Sequence, residues 1–391
     1  MNKSYDVIII GGGIIGTASA FHLAKKGVKV ALLEQRYIGD GPTGKSSAII
    51  RQHYSNELTA RMAHYGVQVF QQFEAEVGGE CGYNNTGFFV IGSKENGPEL
   101  LKNLDMQKSV GIRTELFSNE SVVALFPGLI LDDSVTVIYE PDGGYADAYL
   151  TANSFAQAAK EFEAHIYQKS KVTGIRRSGD KVVGVDSTKG QLDAPIIICC
   201  TGAWTKGVCE TLDLNIPINP CRVQVAYFKR PRNVRGHQPV VTDFINETYF
   251  RSEGITLTLA GLIDPAEANA IVDPDQFNES IDIGFIEKIG KKIITRYPDM
   301  VHSKSTGGYA SMYAVTPDWH PIVDEIPFGS GYYVCSGFSG HGFKLSPAVG
   351  LMVSEMITKS SNPMFDHRFF RFNRFEENRP IGGSYDQSIV G

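Results

Sequence analysis

The chain has 391 residues, 42% of them hydrophobic and 20% charged, with a formal net charge of −6. That balance is ordinary for a globular protein, and the length suits two consecutive or intertwined domains better than one simple core. An acidic chain without a basic cluster is not expected to bind nucleic acid, and no apolar run approaches the roughly 20 residues that span a membrane.

The N-terminus, "MNKSYDVIIIGGG", has no small-residue cleavage site and runs straight into a strand, so it reads as structure and not as a signal peptide. Val7 to Ile10 is a short β-branched run of the kind buried on both faces of a parallel sheet. Gly11, Gly13 and Gly16 follow in the order G-x-G-x-x-G, then Ala18, Ala20 and Leu23 at helical spacing, then Gly27 as a stop. A second strand, Val28 to Leu33, ends on Glu34. In such a strand–turn–helix unit the first glycine makes the tight turn and the second lets the backbone approach a pyrophosphate. The third lets helix and strand pack closely, while an acid about twenty residues on accepts from ribose hydroxyls. Phosphates would sit at the positive end of the helix dipole. The motif does not choose between FAD and NAD.

The next segment, "GPTGKSSAIIRQHY", lies where an NAD domain continues into another βα unit. Thr43, Ser46 and Ser47 are small enough to bond phosphate or a flavin ring, or they belong to a solvated loop. Further on, "TGFFVIG" reads as a strand and "NGPELLKNLDMQKSVG" as a helix. "VTVIYEPDGGYADAYLTANSFAQAAKEFEAHI" reads as strand, Gly-Gly turn and helix. "KVTGIRRSGDKVVGVDSTKGQLDAPIIICCTGAW" gives a strand pair, then a buried strand ending in small residues where the backbone passes a ligand. A β-rich stretch follows, from "CRVQVAYF" through "TYFRSEGITLTLAG", and "IDIGFIEKIGKKIITRY" has the pattern of an amphipathic helix. Last comes "GYYVCSGF" as a strand, leading into "GFSGHGFKLSPAVG".

None of the 6 cysteines forms a CxxC pair and no histidine spacing completes a zinc site, so no metal is expected. Nothing requires an oxidising compartment, which makes the cytoplasm the default location. No repeat and no low-complexity linker divides the chain. Glycine clusters at both ends therefore suggest one nucleotide-binding domain assembled from separated segments, with a β-rich domain inserted between them.

The stretches "VIIIGGGIIGTASAFHLAKKG", "AIIRQHY", "TGFFVIG", "GAWTKGVCETLDLNIPINP", "SMYAVTPDWHPIVD" and "GFSGHGFKLSPAVG" resemble the FAD-dependent amine oxidoreductases of the D-amino-acid oxidase class. The monomeric sarcosine oxidase branch is the nearest in pattern. The resemblance implies an α/β fold, with a Rossmann-like FAD-binding domain (1–82, 142–218 and 303–391) interleaved with a β-rich substrate domain (83–141 and 219–302). It implies oxidation of the C–N bond of a small amino acid or N-alkyl amino acid, sarcosine-, proline- or D-amino-acid-like, to an imine. The partners would be a small carboxylate-bearing amine and an electron acceptor, either O2 or a dye, quinone or protein. A 2-hydroxy-acid or glycerol-3-phosphate dehydrogenase on the same fold, or an electron-relay subunit, is the alternative.

On the same basis the cofactor-binding set is Gly11, Gly13, Ile14, Ile15, Gly16, Glu34, Gln35, Thr43, Ser46, Ser47, Val172, Thr201, Gly202, Trp204, Ser311, Gly337, Gly340, His341, Gly342, Phe343 and Lys344. Gly337, Gly340 and Gly342 would let backbone lie against the isoalloxazine ring. Ser346 reads as an N-cap with Pro347 at the first helical position, so that a helix dipole faces the ring. Arg51 and Lys344 match the residues that hold the substrate carboxylate. His341 either contacts the ring, tunes the amine's protonation, or makes a core hydrogen bond, and Tyr249 and Tyr313 could line the cavity.

The pattern is broken twice. Where monomeric sarcosine oxidases carry a cysteine bonded covalently to the flavin, this chain has Ser311, so FAD should be held non-covalently. Thr256 aligns with a lysine placed over the ring, which would make reoxidation by O2 slow and the enzyme a dehydrogenase.

Overall fold

The computed structural model describes residues 3–264, 266 and 270–382. The strand Val7–Ile10 lies at the centre of a six-stranded sheet, between Ile196–Cys199 and Val30–Leu33. His165–Tyr167 extends that sheet beyond Val30–Leu33, and Tyr332–Ser336 extends it beyond Ile196–Cys199. All these neighbours are parallel; only the outermost strand, Ile322–Glu325, runs antiparallel to Tyr332–Ser336. Both glycine-rich ends of the sequence thus feed one sheet. Every residue of Val7–Ile10 and Val30–Leu33 is buried, as strands covered on both faces require.

Helix Ile14–Lys25 packs on this sheet between helices Ala148–Glu161 and Gly342–Ile357. Its crossing with Gly342–Ile357 is close, because a Cβ on Gly350 would stand 2.7 Å from the Ala18 carbonyl. Helix Glu57–Gln71 crosses Gly342–Ile357 as closely, since a Cβ on Gly66 would lie 2.5 Å from the Lys344 carbonyl oxygen.

An eight-stranded mixed sheet forms the second layer, in the order Lys304–Val315, Asn219–Lys229, Leu257–Leu262, Thr248–Glu253, Val240–Asp243, Phe88–Ser93, Val135–Glu140, Glu115–Phe117. One face packs on helix Ile283–Arg296, which buries Phe285, Ile289 and Ile293, four residues apart, as the amphipathic pattern of the sequence suggested. The other face meets Gly97–Ser109 at one end and the glycine-lined cleft described below at the other. A smaller four-stranded sheet carries the expected strand pair, Val172–Ser178 against Lys181–Ser187.

One expected boundary moves. The helix after the second glycine cluster begins at Gly342, with His341 at the cap position, so Ser346 and Pro347 lie inside it. A proline there cannot bond back to the carbonyl four residues earlier. That carbonyl, on Phe343, accepts instead from Ser346 Oγ at 2.8 Å. The Ser-Pro pair patches the helix rather than starting it.

Candidate active site

At the carboxyl ends of the central parallel strands, glycine backbone lines a cavity of about 270 Å³. Its first wall is the Gly11–Gly16 turn. A Cβ on Gly11 would sit 2.5 Å from the Cys200 carbonyl, and one on Gly16 would sit 2.0 Å from the Gly11 carbonyl. The fold itself therefore demands glycine at both. Gly13 is different, because its Cβ would meet only Thr43 Oγ1, at 3.1 Å, and this leaves its backbone open to a ligand.

Local hydrogen bonds hold that wall. Glu34 accepts from the Gly12 and Arg36 amides, both at 2.7 Å, and Thr43 Oγ1 accepts from the Ile14 amide at 3.0 Å. Trp204 at the mouth donates through Nε1 to Asp275 at 2.8 Å. On the opposite wall Gly337 and Gly340 have φ of 79° and 90°. A Cβ on Gly340 would stand 2.8 Å from the Tyr313 ring, and one on Gly337 2.6 Å from Thr316. The protein's own packing already requires these glycines, where the sequence suggested only the needs of a ring. The loop is further tied down by Ser339 N donating to the Ala314 carbonyl at 3.0 Å.

A second cavity of about 60 Å³ adjoins the first and shares Ser46, Ser47, Tyr249, Tyr313, Gly340 and Phe343 with it. Arg51, His341 and Lys344 line this smaller space, all three buried. The Arg51 guanidinium stacks on the Tyr54 ring at 4.5 Å and donates to the His53 carbonyl. Tyr54 in turn bonds His341 Nδ1 through its hydroxyl at 3.1 Å. Thr242, Ile49, Leu262 and Ile263 complete the wall.

Charge in this region is shaped by burial. It holds the His341 imidazole well below its ordinary value, with the Arg51 charge adding to the effect. It pushes the Tyr313 and Tyr249 phenols up and raises Tyr54 to about 12. Beneath the Arg51 segment, burial also raises the Glu140 carboxyl to about 7, although Gln52 N donates to it at 2.8 Å.

Of the sequence-predicted cofactor residues, all line the larger cavity except Gly16, His341 and Lys344; Gly16 packs helix on strand, and the other two face the smaller space. Tyr249 and Tyr313 line both. Thr256 does neither. It lies in the turn between Thr248–Glu253 and Leu257–Leu262, outside both linings, where its carbonyl accepts from Arg230 N. With Thr256 in a hairpin turn away from both cavities, this residue gives no reason to expect slow reoxidation. Sequence reasoning missed Thr242, Ile49, Leu262 and Ile263. Ile49 was inside a quoted motif; Thr242 and Leu262 sit on strands whose facing only the sheet register reveals, and Ile263 directly follows the second of these.

A family model described as FAD dependent oxidoreductase (DAO) matches residues 6–356. The chain belongs to this family. As a DAO-family member it is an FAD-dependent flavoprotein oxidoreductase, and the open backbone at Gly13 with its neighbouring donors fits a dinucleotide along the larger cavity. It is 28% identical to human peroxisomal sarcosine oxidase over 95% of this chain and 96% of that one. It is 25% identical to human mitochondrial sarcosine dehydrogenase, covering 95% of this chain but only 41% of that protein. The solved L-proline dehydrogenase from P. horikoshii superposes with a TM-score of 0.88 at 26% identity, over 97% of this chain and 100% of that one. Among the described residues no helix is long and apolar enough to cross a membrane, and no side-chain cluster could hold a metal ion.

Proposed function

We propose that this DAO-family enzyme oxidises the C–N bond of a small amino acid or N-alkyl amino acid, of the sarcosine, proline or D-amino-acid kind, to an imine. The observation that carries this reading is the placing of Arg51 and Lys344 on one small cavity that adjoins the glycine-lined cleft. A carboxylate held between a guanidinium and an ammonium is fixed in direction as well as position. Its Cα then faces the larger cavity, while Ile49, Leu262 and Ile263 receive a short apolar substituent. FAD bound along the larger cavity supplies the hydride acceptor. Tyr249 and Tyr313 wall the junction between the two spaces and exclude water from it.

The remaining assignments belong to the same reading. The FAD is non-covalent, because Ser311 lines the cleft where a linking cysteine would stand. Electrons leave to O2 or to a dye, quinone or protein, and relatives named as oxidases and as dehydrogenases both resemble this chain. The nucleotide-binding segments are 1–82, 142–218 and 303–391, of which residues 1–2 and 383–391 lie outside the described residues, with strand Lys304–Val315 of the last running along the edge of the eight-stranded sheet. Six free, buried thiols suit a reducing compartment such as the cytoplasm.

Anaerobic mixing of the holoenzyme with a panel of amino acids, N-methyl amino acids and 2-hydroxy acids tests the reading. Bleaching of the yellow absorbance by an amino acid supports it. Bleaching by 2-hydroxy acids alone would transfer the enzyme to the alternative chemistry.

A further inference from the structure

Lys344 is buried in the first turn of helix Gly342–Ile357, and among the described residues no hydrogen bond or ion pair to an acid reaches its ammonium nitrogen. The other strong cation on its cavity is Arg51. A buried ammonium beside a guanidinium, with no anion, is disfavoured by lost hydration and by repulsion. Burial first and the Arg51 charge second accordingly hold Lys344 well below the usual lysine range.

An amino acid in neutral water is a zwitterion, yet oxidation of its C–N bond needs the lone pair of a neutral amine. We propose that Lys344, neutral before substrate arrives, takes the proton from the substrate's ammonium group. One N–H bond breaks and leaves its electron pair on the substrate nitrogen, and one N–H bond forms at Lys344 Nζ. The complex neither gains nor loses a proton. The lysine ammonium so formed pairs with the substrate carboxylate, so binding and amine activation are one event. This role rests on the carboxylate clamp described under the proposed function.

The groups facing Lys344 leave it the best acceptor. His341 Nε2 is buried without a hydrogen-bond partner and lines the same cavity. Imidazole is ordinarily less basic than a lysine amine by roughly four pKa units, so an alkylammonium proton favours the amine. The Tyr249 and Tyr313 phenols, raised by burial, donate rather than ionise. Helix Glu57–Gln71 meets Lys344 through the uncharged Gly66. The buried carboxyl of Glu140 is engaged by Gln52 N and does not line the cavity.

Acetate carries a carboxylate but no ammonium proton, so its binding should draw a proton for Lys344 from the buffer. Calorimetric titration of the holoenzyme with acetate, in two buffers of different ionisation enthalpy, should give uptake of about one proton per site. Lys344→Arg keeps a cation but has no neutral form, and should bind acetate with no uptake; Lys344→Met should likewise show none. His341→Asn should retain the uptake. With an amino-acid substrate, kcat/KM of Lys344→Arg should rise about tenfold per pH unit below the substrate amine's own pKa, while wild type stays flat. Acetate binding to wild type without proton uptake overturns this role and leaves the clamp standing. Acetate failing to bind removes the clamp and this role together. Loss of uptake in His341→Asn, or equal pH profiles for wild type and Lys344→Arg, also overturns it.

Discussion

Ser346 Oγ donates at 2.8 Å to the Phe343 carbonyl, the acceptor that Pro347 leaves open four residues later. Both residues are buried in the helix that starts at the junction of the two cavities, so the patch supports the first turn from which Phe343 and Lys344 project. Ser346→Ala leaves that carbonyl buried without its donor. The expected loss is about 1–3 kcal/mol of stability, read as a lower unfolding midpoint of the holoenzyme in urea. An unchanged midpoint would mean that the carbonyl finds another partner.

A second prediction concerns Gly340. Its φ of 90° suits glycine, and the space for a Cβ is already filled by the Tyr313 ring at 2.8 Å. Gly340→Ala must therefore move either the loop or Tyr313, both of which wall the cavities. The variant should lose bound FAD, measured as the ratio of visible to ultraviolet absorbance after purification. Gly382→Ala, at a position with nothing within 4 Å of the added carbon, should keep it.

How far the sequence reached differs between the two ends of the site. The Gly11–Gly16 unit was legible because strand, turn, helix and Glu34 follow one another within a single short stretch, and each role is set by local geometry. The helix start at Gly342 was not legible, since a Ser-Pro pair signals a beginning by local preference, whereas the earlier start is held by contacts from elsewhere in the chain, the close approach of Gly66 to the Lys344 carbonyl among them. Arg51 and Lys344 lie far apart in the chain, and no spacing could bring them together; the resemblance alone paired them. Thr256 failed for the opposite reason. It lies in the turn between Thr248–Glu253 and Leu257–Leu262, outside both linings. A motif match that crosses a hairpin does not fix which residue faces the cleft, because turn length sets the register.

The third prediction follows from Ser311. Denaturation of the purified yellow protein with acid should leave all of the flavin in the supernatant. The cysteines lining the cleft, Cys200 and Cys335, belong to buried strand ends of the central sheet. Colour remaining with the precipitate would show a covalent bond to the flavin and overturn this expectation.

Arg51→Ala removes one arm of the proposed clamp and also strips the His53 carbonyl of a donor and the Tyr54 ring of its stacked cation. A fall in kcat/KM worth about 2–5 kcal/mol is expected, the range for losing one member of a buried charge pair. Arg51→Lys restores charge without the planar fork and should recover part of it. Bound FAD should persist in both, measured from the visible spectrum. Near-wild-type kinetics of Arg51→Ala on every carboxylate substrate would dissolve the clamp.

The last prediction is a pH dependence of stability located at Glu140. Burial raises its carboxyl to about 7 from an ordinary value of 4.5, against the opposing pull of the Gln52 amide and the Arg51 charge. A carboxyl raised on folding favours the protonated form in the native state. Its stabilising contribution is therefore fully present below the unfolded value near 4.5 and is lost as pH rises through about 7. Glu140→Gln keeps a carbonyl oxygen that can accept from Gln52 N and removes the ionisation. The difference in unfolding free energy between wild type and variant should thus shift toward the variant across that window, by about 3 kcal/mol in total. Other titrating groups are common to both proteins and cancel in the difference. Parallel urea unfolding curves at several pH values across the window measure it, and a difference independent of pH would mean that the Arg51 charge holds Glu140 ionised throughout.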